Sequence, residues 1–409
     1  MHVLLLALNY HPDKLGNAPL MTGLAEGLVR LGHRVTVVCA FPHHETGRVE
    51  AAWRGRLMQR DTHNGVEILR TWIHAPEGGA AAKMVGYASF TASALAAAAT
   101  VRGVDVIFTP SPPLTLGIVD RALSLTKRVP FVYNLQDLFP EAAIRLGVLT
   151  DPKIIKGFEW LEDRVYGWAS HISVISQGFK DHVTARGVPA DKVTVIPNYT
   201  DTDFITPQDA AHNRYRSALG GPDAFVIQFS GRMGYSQGLE TVLDAWRLLD
   251  DLPDARLMMV GDGQAQALVA QALEGDPRAQ VLPTQPRENL PELLAAADVG
   301  LAPLKRGMAG TSVPSKIFGI MASGRPVVTG VETGSDTAHL VEDADCGIVV
   351  PPEDPAALAQ ALRGLYHDRA RARRLGHNAR AAVVARYSHA VVVRQYEAML
   401  MGVIERSRG

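Results

Sequence analysis

A chain of 409 residues with 41 Lys+Arg against 42 Asp+Glu has a formal net charge of −1, and 47% of it is apolar. That balance describes two or three globular domains with ample core; it excludes disorder, collagen-like repeats and a nucleic-acid binder that relies on a strong positive field. The two cysteines, Cys39 and Cys346, exclude a disulfide scaffold and a structural zinc site and fit a reducing, cytoplasmic compartment.

The N-terminal apolar run over 3–8 has no basic leader and no small-residue cleavage site, so it is not read as a secretory signal. It reads as a buried parallel strand feeding a helix whose apolar positions are Met21, Leu24, Ala25, Leu28, Val29 and Leu31, closed by Gly32. The alternation continues with strands over 35–39, 104–108, 131–135, 171–175 and 193–196, and helices over 116–126 and 177–186. Residues 84–101 hold no charge, yet their many small residues make a membrane span a poor fit. The packed-helix reading is preferred. A helix lying at a membrane surface stays open, supported by the cluster Trp53, Arg54, Arg56, Leu57, Met58 and Arg60.

A turn-rich stretch, Pro197-Asn198-Tyr199-Thr200-Asp201-Thr202-Asp203-Phe204-Ile205-Thr206-Pro207, reads as an interdomain linker, assigned to 198–208. A second series follows, with strands over 224–230, 255–260, 280–282, 299–303, 326–329 and 347–350 and helices over 239–249 and 290–297. The last segment, about 355–404, reads as helical. This alternation predicts an α/β chain with two Rossmann-like domains facing across a cleft, over 1–197 and 209–385. Residues 1–200 carry 20 Lys+Arg against 17 Asp+Glu (+3), and 201–409 carry 21 against 25 (−4). The split is small enough to arise by chance.

A dehydrogenase is the first activity such a fold suggests. The nearest dinucleotide fingerprint, Gly261-Asp262-Gly263-Gln264-Ala265-Gln266, lacks the third small residue, and residues 7–14 have no glycine to admit a pyrophosphate. Other motifs fit a different family. In chain order they are Asn9-Tyr10-His11-Pro12-Asp13 with Gly16, then Gly32-His33-Arg34-Val35-Thr36-Val37-Val38, Ser173-Val174-Ile175-Ser176 and Lys192-Val193-Thr194-Val195-Ile196-Pro197-Asn198. They continue with Val260-Gly261-Asp262-Gly263, Ala297-Asp298-Val299-Gly300-Leu301 and Pro314-Ser315-Lys316, leading to Ala322-Ser323-Gly324-Arg325-Pro326-Val327-Val328. In this order they resemble the retaining GT-B glycosyltransferases of family four over essentially the whole chain. Phe41-Pro42-His43-His44, Asn134-Leu135-Gln136-Asp137-Leu138-Phe139-Pro140-Glu141 and Gly234-Tyr235-Ser236-Gln237-Gly238-Leu239-Glu240 are most similar to the bacterial colanic-acid and O-antigen branch.

The resemblance implies transfer of a sugar from a nucleoside diphosphate to a saccharide or lipid-linked acceptor, with a C-terminal helix, 386–409, crossing back to the first domain. Such chemistry needs fixed positive potential where charge grows on the leaving phosphate. Arg232, past a strand end, and Lys316, with the amides of Ser312, Val313 and Ser315 before a helix, are the candidates to supply it. Gly231, Gly261, Gly263, Gly310, Thr311 and Gln237 complete the donor-side set. The bland alternatives are a surface salt bridge for Arg232 and a solvated helix start for Lys316. The family's two glutamates eight residues apart fall here on Thr311 and Gly319, and Glu240 or Glu332 cannot be assumed to replace them; its lysine after the arginine falls on Gln237, and Lys316 is a candidate to compensate.

On the acceptor side the resemblance selects Gly16, Asn17 and His11, with Asp137 to orient or deprotonate the acceptor hydroxyl. Helix capping is the alternative for Asn17 and Asp137. His43 and His44 are further polar candidates with structural roles as the alternative. No Asp-x-Asp stands at a strand end in the donor half, Asp201-Thr202-Asp203 lying in the linker, so no metal and no cofactor are expected. Peripheral membrane contact is an expected partner surface and nucleic acid is not. A nucleotide-sugar epimerase of similar fold and a non-catalytic sugar-nucleotide-binding scaffold are the competing functions.

Overall fold

The computed structural model describes the chain apart from residues 15, 44–47, 75–79, 146, 148, 210–212 and 311–312. It divides into two compact units, Met1–Asn198 with His389–Gly409, and Tyr199–Ser388.

Unit 1 runs β1 (His2–Leu6), α1 (Ala18–Arg30), β2 (Arg34–Ala40), β3 (Met58–His63), β4 (Val66–Thr71), α2 (Ala80–Ala99), β5 (Val106–Pro110) and α3 (Leu116–Lys127). It continues through β6 (Phe131–Leu135), α4 (Glu141–Arg145), α5 (Pro152–Trp168), β7 (His171–Val174), α6 (Gln177–Ala185) and β8 (Val193–Val195). The eight strands lie in the order β3-β4-β2-β1-β5-β6-β7-β8. Every residue of β1, β5 and β6 is buried, as parallel strands covered on both faces require. Asp151 begins α5, its carboxylate accepting from the amides of Lys153 at 2.8 Å and Ile154 at 3.2 Å, with Pro152 in the first turn, where a missing N–H costs nothing.

The β3–β4 hairpin is absent from the sequence reading, which passes from the strand over 35–39 to that over 104–108. It is the antiparallel edge of the sheet, pairing Met58 with Thr71 and His63 with Val66. Its turn, Asn64-Gly65, has both residues at positive φ, a hairpin signal printed in the sequence. The strand itself is polar and half exposed, Met-Gln-Arg-Asp-Thr-His, so no apolar run announces it. The cluster from Trp53 to Arg60 therefore ends in an edge strand. Helix α2 packs against β2, β4 and α3, and no described helix is long and apolar enough to cross a membrane.

Unit 2 runs α7 (Arg214–Ser217), β9 (Phe225–Ser230), α8 (Leu239–Arg247), β10 (Ala255–Val260), α9 (Gln266–Ala272), β11 (Ala279–Leu282), α10 (Leu290–Ala295) and β12 (Val299–Leu301). After these come α11 (Lys316–Ala322), β13 (Val327–Gly330), α12 (Asp336–Asp343), β14 (Gly347–Val350), α13 (Pro355–His367) and α14 (Arg369–Arg386). Its parallel sheet has the order β11-β10-β9-β12-β13-β14, built around Phe225, Ile227, Phe229, Leu257, Met259 and Trp246.

Two boundaries differ from the sequence reading. The stretch read as a linker docks on unit 2: Ile205 is buried, and Arg380 donates to the carbonyls of Thr202 at 3.0 Å and Ile205 at 2.9 Å. The C-terminal helical segment is three helices, broken at Asp368, which caps α14 through the amide of Arg371, and again at Ser388, which bridges to Thr200. The third helix, α15 (His389–Arg408), belongs to unit 1 and packs on α1.

Candidate active site

In open α/β sheets ligands collect outside the carboxyl ends of the strands, where the strand order reverses. In unit 2 that point lies between β9 and β12. The loop leaving β9 carries Gly231 and Arg232, and it runs on in register with the loop leaving β10: the Gly231 amide donates to Val260 O at 3.0 Å, and that of Met233 to Asp262 O at 2.9 Å. A Cβ on Gly261 would stand 1.9 Å from Gly231 O, and one on Gly263 2.5 Å from Met233 O. These glycines are thus required by the packing of one loop on the other.

Lys316 opens α11 and turns into this crevice. Its Nζ lies 3.8 Å from the centroid of the Phe229 ring and donates a hydrogen bond to Gln237 Oε1. A Cβ on Gly231 would meet Lys316 Cε at 3.1 Å, so glycine there admits the lysine. Burial pushes the ammonium down to about 7. The solvated-helix-start reading gives way to a half-buried side chain whose partners among the described residues are a neutral amide and an aromatic face. The residue that stands in place of the family's second cation, Gln237, holds this one.

Arg232 is exposed, and among the described residues it has no ion-pair or hydrogen-bond partner, which removes the surface salt bridge. Val313 is half-buried and Ser315 exposed; Ser315 makes no side-chain cap, and the amides of Ile317 and Phe318 are already bonded to Pro314 O and Ser315 O. Gly310 sits exposed in a turn, while Thr311 and Ser312 lie outside the described residues. Glu240 is committed to Lys305 Nζ at 3.1 Å. Glu332, just past β13, accepts from the Gly307 amide through Oε1, and its buried Oε2 has no partner among the described residues. A Cβ on Gly319 would meet nothing nearer than Leu294 Cδ1 at 3.5 Å, so no side chain occupies that position.

In unit 1 the strand order reverses between β1 and β5. Gly16 adopts φ +64° in the loop before α1. Asn17 occupies the cap position of α1 without making a capping bond; its Nδ2 donates instead to Ser111 O at 3.4 Å, which corrects the capping alternative. Ser111, at the end of β5, also accepts from the Gln136 amide at 3.1 Å and donates to Asp137 O at 3.4 Å. Asn17, Ser111 and Asp137 therefore converge across the reversal point. The Asp137 carboxylate keeps accessible surface while crowded by protein, and burial pushes it up to about 6. Among the described residues no amide caps onto it.

His11 stands apart from this group. Its ring stacks on His63 at 3.7 Å, and Arg70 donates to its carbonyl at 2.7 Å. Arg70 is buried and paired with Asp61 at 2.7 Å, so His11 is held by structure; burial, then His63, pushes its pKa down. His43 bonds Phe41 O at 2.8 Å, and His44 lies outside the described residues. Ser111 and Arg70 were both missed by sequence reading; Ser111 is marked only by the two prolines after it. Among the described residues no three His, Cys, Asp or Glu side chains gather into a cation-binding group.

Residues 224–368 match the family model for glycosyl transferases group 1, and residues 16–199 match that of the glycosyl transferase 4-like domain. The chain is a glycosyltransferase of GT-B fold. It is 27% identical over 377 residues to the putative colanic acid biosynthesis glycosyl transferase WcaI of Escherichia coli, covering 89% of this chain and 91% of that protein. Among solved structures it is similar to sucrose-phosphate synthase from Thermosynechococcus elongatus, at TM-score 0.77 and 19% identity over 99% of each chain. Anabaena HepE in complex with UDP follows at TM-score 0.72 and 20% identity, covering 98% of this chain and 100% of that one. The hydride-transfer reading falls with these matches.

Proposed function

We propose that this glycosyltransferase moves a sugar, with retention at the anomeric carbon, from a nucleoside diphosphate to a saccharide or lipid-linked acceptor in exopolysaccharide or O-antigen assembly, in the cytoplasm at the inner face of the membrane. The observation that carries the reading is Lys316. A half-buried ammonium whose partners among the described residues are an amide and a ring has no counter-charge among them, and burying a charge without one is costly. A diphosphate supplies it. Binding would raise the pKa of Lys316, because an adjacent anion favours the charged form.

In this reading Lys316 and Arg232, unpaired among the described residues, hold the diphosphate of the donor. As the bond from the anomeric carbon to the leaving phosphate oxygen breaks, the electron pair goes to that oxygen, and fixed cations stabilise the developing charge. The acceptor hydroxyl oxygen forms the new bond, and its proton passes to the leaving phosphate or to Asp137, whose raised pKa suits a base working near neutrality. Gly231, Gly261, Gly263, Gly310, Gln237, Val313 and Ser315, with Thr311 and Ser312, belong to the donor side; Gly16 and Asn17 belong to the acceptor side, His11 being held in the structure by His63 and Arg70. No metal or cofactor is assigned a role. A relative named for colanic acid biosynthesis supports the pathway class.

Donor turnover decides the matter. Arg232→Ala is expected to lower transfer by 10² or more, on the order of 3 kcal/mol. Donor binding without turnover, unchanged in Arg232→Ala, would instead make the chain a sugar-nucleotide-binding scaffold. A thermal-shift screen of UDP-, GDP- and ADP-sugars needs no acceptor, and a ligand at 100 times its Kd stabilises by roughly 2.7 kcal/mol.

A further inference from the structure

The helices of unit 1 form two groups. Helices α1 and α15 pack on each other, while α2 packs beside α3 and α3 beside α5; α5 is tied to α6 by Arg186, which pairs with Glu162 and Asp163. The second group presents an unusual surface. Among the described side chains of α2 the exposed positions are Val85, Ala88, Ala92, Leu95, Ala96 and Ala99, a solvent-facing stripe without a charge. A helix face turned to water is ordinarily polar. The apolar surface continues onto α3, where Ile118 is 46% and Leu125 59% exposed, and onto α5, where Ile154 is 50% and Trp160 57% exposed. Beyond β4, the edge of the sheet adds Leu57, 76% exposed, beside Trp72, whose amide donates to Leu57 O. Along α1 and α15, by contrast, Met401 is the one large apolar side chain exposed among the described residues.

The charges around this surface are mostly basic. Arg102 and Arg128 follow the C-terminal ends of α2 and α3, Arg121 lies on α3, and Lys153 and Lys156 lie on α5; none has an ion-pair partner among the described residues. The Arg164 guanidinium stands 5.5 Å from the Trp160 ring. Of the carboxylates on or beginning α5, Asp151 caps the helix and Glu162 and Asp163 pair with Arg186, which leaves Glu159 against three cations.

We infer that the outer face of α2, α3 and α5 is a docking surface for an anionic lipid bilayer, which accepts the apolar side chains at its interface and neutralises the surrounding cations with phosphate headgroups. The charge pattern selects lipid over a second copy of the chain. A twofold contact buries the same patch on both partners and would enclose these cations against one another. The inference rests on the proposed function in expecting a lipid-linked acceptor at the inner face of the membrane, and vesicle binding measured without donor separates the two.

The test is co-sedimentation of the full chain with phosphatidylcholine vesicles, alone and mixed with phosphatidylglycerol, at low and high salt. Binding to the mixed vesicles is expected, weakened by salt because surface charge is screened. It should fall about tenfold or more in Leu95→Glu/Ile118→Glu and in Arg121→Glu/Lys153→Glu/Lys156→Glu, since each basic residue near an anionic surface contributes about 1 kcal/mol. Leu268→Glu, at an exposed position of unit 2, should bind as the parent does. Because the altered side chains are surface residues, donor hydrolysis in solution should stay at the parental rate, which establishes that the variants are folded. No binding to mixed vesicles, or equal binding by all variants, overturns the inference. So does a dimer in light scattering that Leu95→Glu dissociates.

Discussion

The strand-end regions of the two units use one physical device on opposite charges. In unit 2 burial pushes a lysine down, Lys316 to about 7; in unit 1 burial pushes an acid up, Asp137 to about 6. Neither has an oppositely charged side chain bonded to it among the described residues. Lys316 is held by Gln237 and the Phe229 ring, and Asp137 is placed through its backbone by Ser111. Desolvation without pairing keeps a group responsive to the next charge that arrives. The difference lies in rigidity of placement: Lys316 is fixed by its side-chain tip, Asp137 by its main chain.

The largest effect should come from removing the tip. Lys316→Ala is expected to lower turnover by 10² or more, on the order of 3 kcal/mol, with the loss in kcat as well as kcat/KM. Near-normal rates would detach Lys316 from the diphosphate. A pH profile then sharpens the pairing of opposite shifts. In the free enzyme kcat/KM should fall below about 6 as Asp137 takes a proton and above about 7 as Lys316 loses one. With donor bound, the basic limb of kcat should move upward. Asp137→Asn should remove the acid limb, and an unchanged profile would assign the proton to the leaving phosphate alone.

Stability gives a third measurement. The folded pKa of Lys316 is below its ordinary value, so its charged form opposes folding; the cost is fully present below about 7 and fades as pH rises toward 10.5. Lys316→Met should therefore stabilise the protein by at least about 1 kcal/mol at mildly acidic pH, and by less in alkali, while abolishing turnover. Equal gains at both pH values would show that the ammonium is better solvated than its surroundings indicate. The smallest effect is expected for Ser111→Ala, a roughly 3- to 10-fold loss in kcat, on the order of 1 kcal/mol, from freeing the Asp137 backbone. A change in KM alone would make Ser111 a binding residue.

How much of this was legible depended on distance along the chain. Strands over 131–135 and 255–260 were read with their observed bounds because each is an apolar run buried on both faces. The edge strand β3 was invisible for the converse reason, although Asn64-Gly65 announced its turn. Arg232 and Lys316 were named by motif, and the structure sets them just past β9 and at the start of α11. The bond between Lys316 and Gln237, 79 residues apart, and the role of Ser111 between Asn17 and Asp137 are products of the strand order, which no local pattern prints. The apolar stripe of α2 was half visible: the absence of charge stood in the sequence, and the direction that stripe faces did not.

The interlocked loops after β9 and β10 bear on how donor preference can change among descendants of this chain. A Cβ at 261 or 263 would collide with backbone, and one at 231 would crowd the Lys316 stem at 3.1 Å. Variation at 261 and 263 is closed to selection. Beside them Gln264 is exposed and can be exchanged without parting the loops, whereas Asp262 accepts from the Thr284 amide at 3.1 Å and Arg232 is held by its proposed role at the diphosphate. Under the proposed function, a lineage retunes nucleotide preference at such outward positions while the shelf beneath stays the same.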